Sequence, residues 1–585
     1  MTSDKPLKEN LELPQDAGME TTSRLLAVLV NEGLVKATAQ DTDTISCLFL
    51  SSTNDQKNSS EGIQVSLRQG TKYRLVSPAT HDGPMVVIPD LNPADIVAPV
   101  TLSSQVGSNA SSQLEHRPEK VFDFVAPWLR AEKEVVTKLR GELKNSADNQ
   151  EKWLQFASSH PPPLLDSPLI TWEQRCVKGH PTHPMHRCFL ANPPLNPVEL
   201  DDMENFLNAE IVIISVPRNR IDLNGTFEES LVPLLQKLGL SAEDVVADRV
   251  LMPCFAAQLP AIHKYFGLDA KRILTRSECR GQRQLSMRTV SVEGFEFDIK
   301  MPLSCTITGY VRTIQPLFSR TCVEMSQLLH DIVPDPEILW IARCVGAACS
   351  ADTNPDNGKH LCAMLREDLE PRAVVLGQCL VLPSTLFETS TQTRVAHVVN
   401  LFNLTDLDAR KEWFRNYTRL YLQAVLPFLL SYGIFLEAHM QNMLVRFDLK
   451  TGALRGFVYR DVDGVRIHAP TMQARGLDIK SPYFVSGATT LINDLEALWA
   501  RVYQICLTNH LGGALTAMGL GWEGGWTILR EELENALRAS HEDKASELLA
   551  FVLQPYIKRT AFLRTKLTGV YGKQINYQRP NPLAL

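Results

Sequence analysis

The chain has 585 residues, 44% of them hydrophobic and 21% charged, with a formal net charge of −7 at pH 7. This length and composition exclude a single small domain and a disordered chain, so we expect two to four domains or one large multi-lobed fold. The acidic balance argues against a protein that coats nucleic acid through a basic surface, and we expect no nucleic-acid partner.

The cysteines and the apolar stretches bear on the compartment. The twelve cysteines include no Cys-x-x-Cys pair, which argues against a structural zinc site and indicates free thiols in a reducing compartment. The first 16 residues contain no apolar signal core, and the best apolar stretch, 420–435, is interrupted by Pro427 and Gly433. We therefore expect a cytoplasmic protein without a membrane span.

The chain divides into three predicted lobes, and their mixture of helices and strands indicates the α+β class. An N-terminal lobe spans 1–160 and ends at the triple proline 161–163. A strand-rich lobe follows over 161–320. A mainly helical lobe with an embedded hairpin spans 321–585.

The N-terminal lobe contains few strong signals. Short strand-like segments occur at 73–76 and 85–88, and the Ser-, Asn- and Gln-rich stretch 101–118 is predicted to be a loop. The spacing of apolar residues predicts one amphipathic helix over 127–156.

The segment 285–314 carries the strongest strand signal. From Phe295 onward, apolar and polar residues alternate almost without interruption. This period of two predicts a long strand with one buried face, preceded by a turn at Glu293-Gly294.

The register of this hairpin decides which polar side chains share a face. If its loop has an odd number of residues, Arg288 lies opposite Lys300, and Ser286 and Thr308 line the same face. Two cations directly opposite each other repel unless an anion such as a polyphosphate lies between them. If the loop has an even number, Arg288 and Lys300 lie on opposite faces. The alternative interpretation is an ordinary solvated sheet face.

A second polar cluster flanks the hairpin predicted at 443–447 and 457–459. Asn442 precedes the first strand and Asp461 follows the second, so their side chains are expected to meet. Such oxygen ligands, shared with phosphate oxygens, suit Mg²⁺, and Glu437 adds a third ligand. Protein kinases use a comparable Asn-then-Asp pair. The alternative is a capped hairpin that faces solvent.

Three histidines, His180, His183 and His186, recur at intervals of three with prolines between them. The prolines exclude a regular helix and therefore the helical spacing of metal ligands. We favour a rigid loop that directs one or two imidazoles and Arg187 toward an anion over a zinc site. Purely structural histidines are the other alternative.

Familiar nucleotide and hydrolase motifs are missing from the sequence. It has no Gly-rich phosphate loop of the P-loop or dinucleotide type. It also has no Gly-x-Ser-x-Gly elbow, so nothing in it supports a serine hydrolase.

In order and spacing, these segments resemble the siderophore synthetases that work without a nonribosomal peptide synthetase, the aerobactin-synthetase-like (IucA/IucC) family. The resemblance covers about residues 165–585. It rests on these motifs in chain order: 179–184, Ser286-Met287-Arg288-Thr289, Lys300, Ile307-Thr308, Arg312, 437–442, Arg460-Asp461, Lys558 and Asn581-Pro582-Leu583. It implies a hand-like fold in which the three lobes are thumb, fingers and a kinase-like palm.

The resemblance also implies a reaction and roles for residues. A carboxylate, for which that of citrate is the first candidate, attacks ATP to give an acyl-adenylate and pyrophosphate. An amine or hydroxyl then displaces AMP. The nucleotide would be held by His183, Arg187, Ser286, Arg288, Thr289, Lys300, Thr308, Gln441, Asn442 and Asp461. Mg²⁺ would be held by Glu437, Asn442 and Asp461, and the acid by Arg312, His439 and Lys558. Lys300, Arg312 and His439 would be catalytic, because fixed cations stabilise charge that builds on phosphates.

Two motifs depart from the family pattern. Members carry Lys and then Arg where this chain has Arg187 and Phe189, and a His-Pro-Trp-Gln run where it has Phe255-Ala256-Ala257-Gln258. These departures imply a divergent branch whose acid or nucleophile differs from the usual one. The first 160 residues contain no motif that the resemblance explains.

Taken together, the sequence predicts an ATP- and Mg²⁺-dependent ligase that condenses a polycarboxylic acid with an amine or hydroxyl co-substrate in siderophore or related secondary-metabolite biosynthesis. We also expect a homodimer. One alternative is a kinase-like phosphotransferase, which would release ADP. Another is a degenerate nucleotide-binding relative without activity, against which the retention of Lys300, Arg312, Asn442 and Asp461 argues.

Overall fold

The computed structural model describes residues 13–39, 46–53, 61–68, 72–76, 86–88, 90–106, 109–240, 248–267, 271–273, 275–390, 393, 395–477, 490–570 and 575–584. Helices and sheets are mixed throughout these residues, as the predicted α+β class requires. Among them no helix is both long and apolar enough to cross a membrane.

The N-terminal part of the chain folds around one apolar core that α1, β1–β3, β6 and α2–α3 share. Its elements in chain order are α1 (Leu13–Asn31), β1 (Lys36–Ala39), β2 (Cys47–Ser51), β3 (Gly62–Ser66), β4 (Arg74–Val76), β5 (Val86–Ile88), β6 (Val100–Val106), β7 (Asn109–Glu115), α2 (Pro118–Leu129) and α3 (Lys133–Ser158). Five of these strands form an antiparallel sheet in the order β1-β2-β3-β6-β7.

Two predictions for this region are wrong and one is confirmed. The polar stretch predicted as a loop is the β6–β7 hairpin, whose adjacent serine pairs, Ser103-Ser104 and Ser111-Ser112, interrupt the alternation of apolar residues by which a strand is recognised. The predicted single helix is two helices, because Arg130 between them adopts a left-handed conformation with φ 52°. The strand signals at 73–76 and 85–88 correspond to the β4–β5 pair; Met85 lies outside the described residues.

The middle of the chain contains most strands of a large sheet. Its elements are α4 (Leu169–Gln174), β8 (Phe189–Ala191), α5 (Met203–Leu207), β9 (Asn208–Pro217), β10 (Ile221–Gly225), α6 (Phe227–Lys237), β11 (Arg249–Phe255), α7 (Leu259–Phe266), β12 (Lys271–Ile273), β13 (Cys279–Arg283), β14 (Thr289–Ser291), β15 (Phe297–Lys300), β16 (Leu303–Ile307), β17 (Tyr310–Arg312) and α8 (Pro316–Asp331).

The C-terminal part is richer in helices. Its elements are β18 (Leu339–Ile341), β19 (Cys344–Ser350), α9 (Pro355–Gly358), β20 (Cys362–Glu367), α10 (Glu370–Val375), β21 (Gln378–Val381), α11 (Pro383–Leu386), α12 (His397–Leu401), α13 (Leu407–Tyr432), β22 (Ile434–Phe435), β23 (Met443–Asp448), β24 (Leu454–Tyr459), β25 (Arg466–His468), α14 (Ala469–Ala474), β26 (Leu491–Ile492), α15 (Leu495–Val502), α16 (Gly512–Ala517), α17 (Gly525–Ala539), α18 (Lys544–Val552), β27 (Tyr556–Ala561), α19 (Leu563–Leu567) and β28 (Ile575–Pro580).

The large sheet has the strand order β10-β19-β20-β15-β14-β13-β9-β11, with β12 also paired to β9. Strand β9 is apolar and buried on both faces from Ile211 to Val216, as expected for an interior strand. Strand β20 pairs with β15 and β19 pairs with β20, so residues beyond 340 complete the sheet that carries Lys300.

The long strand predicted from Phe295 is broken in two. Strands β15 and β16 belong to different sheets, since β16 pairs with β8 and β17. Pro302 lies between them and lacks the backbone N–H that a continuous ladder requires. Because of this break, Lys300 is the last residue of a strand in one sheet, and Arg312 is the last residue of a strand in another.

The hairpin predicted after Asn442 is confirmed. Strands β23 and β24 pair antiparallel with Met443 opposite Tyr459, in a sheet of order β18-β24-β23-β21. The long helix α13 packs on this sheet. Asp406 caps its N-terminus by accepting a 2.8 Å hydrogen bond from the Ala409 N–H, and Gly433 ends it at φ 68°.

Candidate active site

A tight turn before β14 positions Arg288. The Ser286 hydroxyl accepts a hydrogen bond from the Thr289 N–H over 3.1 Å, and Met287 has a φ of 62°. The carbonyl of Arg288 accepts from the Met301 N–H over 2.9 Å. Arg288 therefore lies just outside the β14–β15 ladder, next to the end of β15.

The register of this hairpin differs from the one that favoured a phosphate site. Thr289 lies opposite Lys300 and Val290 opposite Ile299, which corresponds to the even loop. Of the two predicted registers, the structure has the one in which Arg288 and Lys300 do not oppose each other. Both side chains nevertheless reach the carboxylate of Asp463, because Arg288 belongs to the turn, where the alternation of faces no longer applies.

The second hairpin brings its polar ends together as predicted. The Arg460 N–H donates to the Asn442 carbonyl over 2.9 Å, and the Asn442 side-chain amide donates to the Glu437 carbonyl over 3.1 Å. Asp461 follows with a φ of 72°, a left-handed conformation that is uncommon for a residue other than glycine. The chain then turns sharply through Val462–Gly464.

The two hairpins meet through a half-buried ion-pair cluster. The Lys300 ammonium, whose side chain is 5% exposed, donates to Asp461 and, over 2.6 Å, to Asp463. The Arg288 guanidinium lies 3.9 Å from the Asp463 carboxylate. Burial alone would raise the pKa of Asp461, but Lys300 and Arg288 hold it below its usual range. Asp461 is therefore ionised at neutral pH.

Glu437 lies against the same turn. A Cβ built on Gly464 would lie 1.8 Å from Glu437 Oε2, so this carboxylate occupies the space that any other side chain at 464 would need. Three carboxylates, those of Glu437, Asp461 and Asp463, thus surround one turn of backbone.

Arg312, at the end of β17, adds a third cation. Burial and then the neighbouring Arg288 lower its pKa to about 10, while Asp461 and Glu437 oppose that shift. Its Nε is buried and has no hydrogen-bond partner among the described residues. A buried guanidinium with a free donor next to another guanidinium is suited to an anion.

The histidine loop contributes a stack of rings. His183 stacks on His180 at a centroid distance of 3.8 Å and on Phe562 at 4.1 Å. Burial, Arg312 and Lys566 lower the pKa of His183 to about 3, so its ring is neutral at pH 7. Its Nδ1 is buried and has no partner in the described part of the chain.

His439 lies between the cluster and the histidine loop. Burial lowers its pKa, although Glu437 and Asp461 oppose the shift. The Gln441 N–H donates to His439 Nδ1 over 3.2 Å, so the neutral ring carries its proton on Nε2. Gln441 itself holds Arg460, whose Nε and Nη2 donate to the Gln441 carbonyl over 3.1 and 3.0 Å.

The other predicted residues lie elsewhere. Arg187 is buried with its guanidinium 3.9 Å from the centre of the Trp153 ring, and its Nε donates to the Val177 carbonyl. Thr308, with a φ of 51°, forms the turn between β16 and β17. Lys558 is an exposed side chain of β27, whereas the residues of the cluster are half-buried or buried. The structure therefore does not bring Arg187 or Lys558 into the cluster.

His186 fits the structural alternative. Its Nδ1 is 2.6 Å from the Lys178 carbonyl and its Nε2 is 3.0 Å from the Thr21 hydroxyl, so both ring nitrogens have partners within the protein. A zinc site in this loop is not supported either, because both nitrogens of His186 are taken and the rings of His180 and His183 stack face to face at 3.8 Å.

Three neighbours of the site were not predicted from the sequence. Asp463 is two residues after Asp461, and this Asp-x-Asp spacing was the available signal. Phe562 and Lys566 lie far along the chain from the motifs that they contact, and only the fold brings them to His183.

The residues present fit Mg²⁺ and a polyphosphate. Asp463 Oδ1 is buried and has no hydrogen-bond partner within the described residues. Asp461 shares Lys300 with it, Glu437 lies against Gly464 of the same turn, and the Asn442 side chain bonds to the Glu437 carbonyl, so all three offer further hard oxygen ligands. Mg²⁺ is commonly bound by one or two carboxylates together with phosphate oxygens. This agrees with the finding that no three His, Cys, Asp or Glu side chains in the described part of the chain form a complete metal site by themselves. Arg288 and Lys300 would hold the phosphates, and Arg312 the acid.

Two family models match parts of the chain. Residues 168–388 match the model of the IucA / IucC family. Residues 411–574 match a family described as ferric iron reductase FhuF-like transporter.

Relatives match over most of the chain. The chain is 34% identical over 586 residues to the NRPS-independent siderophore synthetase-like protein ankE of Aspergillus thermomutatus, covering 97% of this chain and 94% of that protein. It is 29% identical to the NRPS-independent siderophore synthetase rfs of Rhizopus delemar, over 70% of this chain and 66% of that one. It is 22% identical to the D-ornithine–citrate ligase of Staphylococcus aureus, over 88% and 84%.

Solved structures share the fold. The petrobactin biosynthesis protein AsbB of Bacillus anthracis aligns with a TM-score of 0.75 at 15% identity, over 98% of this chain and 96% of that chain. The ATP-bound aerobactin synthetase IucA of Klebsiella pneumoniae aligns with a TM-score of 0.69 at 16% identity, over 98% and 100%. Together with the 34% identity to a full-length relative, these findings confirm the predicted resemblance: the chain belongs to the family of NRPS-independent siderophore synthetases.

Proposed function

We propose that the protein is an ATP-dependent ligase that activates a polycarboxylic acid as an acyl-adenylate and joins it to an amine or hydroxyl group. Citrate is the first candidate for this acid. The observation that carries this proposal is the pairing of Arg288 and Lys300 with the carboxylates of Asp461 and Asp463, with Arg312 close enough for Asp461 to influence its pKa. Such alternating charge suits a reaction in which a metal-bound polyphosphate and a carboxylate must be held together.

The proposed reaction has two steps. A carboxylate oxygen of the acid attacks the α-phosphorus of ATP, the bond to the bridging oxygen breaks, and pyrophosphate leaves. The amine or hydroxyl then attacks the activated carbonyl, AMP leaves with the bonding electrons, and the nucleophile loses one proton. ATP supplies the leaving group that makes an otherwise inert carboxylate reactive.

Cations of the chain lower the barrier to the first step. Charge builds on the departing phosphates, and Lys300 and Arg288 are already fixed by the carboxylates of the turn, so little reorganisation is needed when that charge develops. The free Nε–H of Arg312 is available to orient the acid. The Nε2–H of the neutral His439 is a second donor for the acid, and Glu437 and Asp461 lie beside that ring.

Mg²⁺ would be held by Asp461 and Asp463, with Asn442 and Glu437 beside them. The ion would neutralise part of the phosphate charge and fix the orientation of the phosphates. Because Lys300 pairs with both aspartates, the same two side chains would fix the ammonium and the metal relative to each other.

The names of relatives support the choice of substrates. D-ornithine–citrate ligase joins an amine to citrate by its name, and citrate is therefore the first acid to test. The amine or hydroxyl partner stays open, because the departures at Phe189 and at Phe255-Ala256-Ala257-Gln258 set this chain apart from the usual family pattern.

The finer architecture is part of the proposal. We infer a thumb over 1–160, fingers over 161–320 and a kinase-like palm over 321–585, with the reaction taking place where β14–β15 meets the β23–β24 hairpin. We also propose a homodimer, which light scattering at several concentrations would test. The twelve cysteines are free thiols, which supports the proposed cytoplasmic location.

The experiment that tests the function is acid-dependent pyrophosphate release. Purified protein is incubated with ATP, Mg²⁺ and hydroxylamine as a surrogate nucleophile, with citrate and other di- and tricarboxylates supplied one at a time. Pyrophosphate and AMP released with one acid, together with its hydroxamate, are the expected result. ADP and phosphate would instead favour the phosphotransferase, and no turnover with any acid would favour the binding protein without activity.

A further inference from the structure

Helix α1 holds the histidine loop in place. Arg24 Nε donates to the His180 carbonyl over 3.0 Å, and Glu20 pairs with Lys178 over 2.7 Å. The Thr21 hydroxyl contacts His186 Nε2 at 3.0 Å. The loop with His180 and His183 is therefore bonded on one side to a helix from the region without family motifs.

The residue just beyond α1 holds a segment from the opposite end of the sequence. The buried carboxylate of Glu32 accepts hydrogen bonds from three consecutive N–H groups, those of Phe562, Leu563 and Arg564, over 2.6, 3.0 and 2.8 Å. These are donors at the start of α19, which would otherwise lack partners inside the protein. One carboxylate thus fixes the place at which this segment turns.

The segment that Glu32 holds contacts the site at two points. The Phe562 ring stacks on His183 with a centroid distance of 4.1 Å. One turn later, Lys566 donates to the Gly309 carbonyl and pairs with Glu142 over 3.1 Å. Gly309, at φ 79°, directly precedes β17, the strand that ends in Arg312.

We propose that Glu32 is a positioning residue of the ligase. By capping α19 it holds Phe562 against His183 and Lys566 against the turn that leads to Arg312, so that the N-terminal region sets the geometry of the acid-binding side of the site. This inference rests on the proposed function, which assigns the anion-binding roles to His183 and Arg312. Under this proposal the N-terminal region, which contains no family motif, has a role in the reaction.

The variant Glu32→Gln tests this role. Glutamine keeps one acceptor oxygen but places an NH₂ group against backbone N–H donors, so the segment loosens while its volume is conserved. We expect KM for the acid to rise about tenfold with a smaller fall in kcat, because misplaced orienting groups weaken binding of the acid.

A matched control comes from the same pair of regions. Asp90 pairs with Arg559 and, over 2.6 Å, with Arg579, joining the N-terminal region to β27 and β28. The variant Asp90→Asn makes the same carboxylate-to-amide change at a point that contacts neither His183 nor Gly309. We expect it to lower Tm while leaving KM for the acid unchanged.

A readout independent of activity is the titration of His183. In protein labelled with ¹³C-histidine, the His183 signal is assigned with His183→Gln. We expect its pKa to move upward from about 3 toward the value of about 6.5 for an exposed histidine in Glu32→Gln, but not in Asp90→Asn. If Glu32→Gln does not fold, Phe562→Leu is expected to give the same rise in KM and the same upward shift.

The proposal is overturned if Glu32→Gln lowers Tm as Asp90→Asn does but leaves both KM and the His183 titration as in the wild type. A wild type that releases no pyrophosphate with any acid would refute the ligase instead. In that event the His183 titration alone decides whether Glu32 positions Phe562.

Discussion

The buried ammonium of Lys300 forms an ion pair with Asp461, 161 residues further along the sequence, and this pair joins the end of strand β15 to the turn after β24. The pair links a predicted phosphate ligand to a predicted metal ligand. Because Asp463 shares the same ammonium at 2.6 Å, a change at any one of these residues alters the surroundings of the other two.

Replacing Lys300 with alanine is expected to abolish adenylation with the fold intact. Removing a fixed cation from developing phosphate charge costs roughly 10²–10³-fold in kcat. Pyrophosphate release measures the loss, and circular dichroism checks the fold. The control is Lys144→Ala, which removes an exposed lysine that pairs with Asp148 on α3; near-wild-type turnover of Lys300→Ala would refute its role.

Replacing Asp461 with asparagine is expected to weaken the dependence on Mg²⁺ and to lower activity by orders of magnitude. An amide keeps the shape of the carboxylate but loses the charge that attracts the ion and holds Lys300. The measurement is pyrophosphate release as a function of Mg²⁺ concentration. An Mg²⁺ titration that superimposes on that of the wild type would remove Asp461 from the metal site.

Gly464→Ala is expected to inactivate the enzyme without changing any charge. The added Cβ would lie 1.8 Å from Glu437 Oε2, so the carboxylate must move away from the turn. Gly141→Ala in the interior of α3 is the matched control, because nothing lies within 4 Å of a Cβ there. That control is expected to raise stability by about 0.5–1 kcal/mol. Equal activity of the two variants would contradict the packing of Glu437 on Gly464.

Several of these relationships were predictable from local sequence. The β23–β24 hairpin has strands of clear apolar character around a turn, so its ends, Asn442 and Arg460-Asp461, had to meet. The register of β14–β15 was not predictable, because the number of loop residues decides it and alternation alone fits both parities. Pro302 was a visible signal for the break between β15 and β16.

Long-range packing accounts for what the sequence did not show. The contact of Glu32 with α19 joins residues that are 530 positions apart, and no periodicity indicates it. Arg187 has the charge of a phosphate ligand, yet its side chain is buried beside Trp153. Residue type suggested its role, whereas the direction of the side chain depends on how α3 packs against the loop.

The neutral state of His183 predicts a dependence of stability on pH. Its pKa of about 3 in the folded protein lies below the value of about 6.5 in an unfolded chain, so the unfolded state binds more protons as pH falls. The stability that the neutral His183 ring contributes to the folded protein is present above pH 6.5 and is lost as pH falls toward 3.

His183→Gln should remove that part of the pH dependence. Between pH 7 and pH 5 we expect the free energy of unfolding of the variant to fall by about 2 kcal/mol less than that of the wild type. Urea denaturation at both pH values measures the difference. Identical losses in the two proteins would mean that His183 titrates normally.

Whether the protein adenylates a carboxylic acid is decided by measuring acid-dependent release of pyrophosphate from ATP. With Mg²⁺, hydroxylamine and citrate or a related polycarboxylate, we expect equal amounts of pyrophosphate, AMP and hydroxamate from the wild type. We expect Lys300→Ala to form none of these products. Release of ADP and phosphate, or turnover that does not depend on any acid, would contradict it.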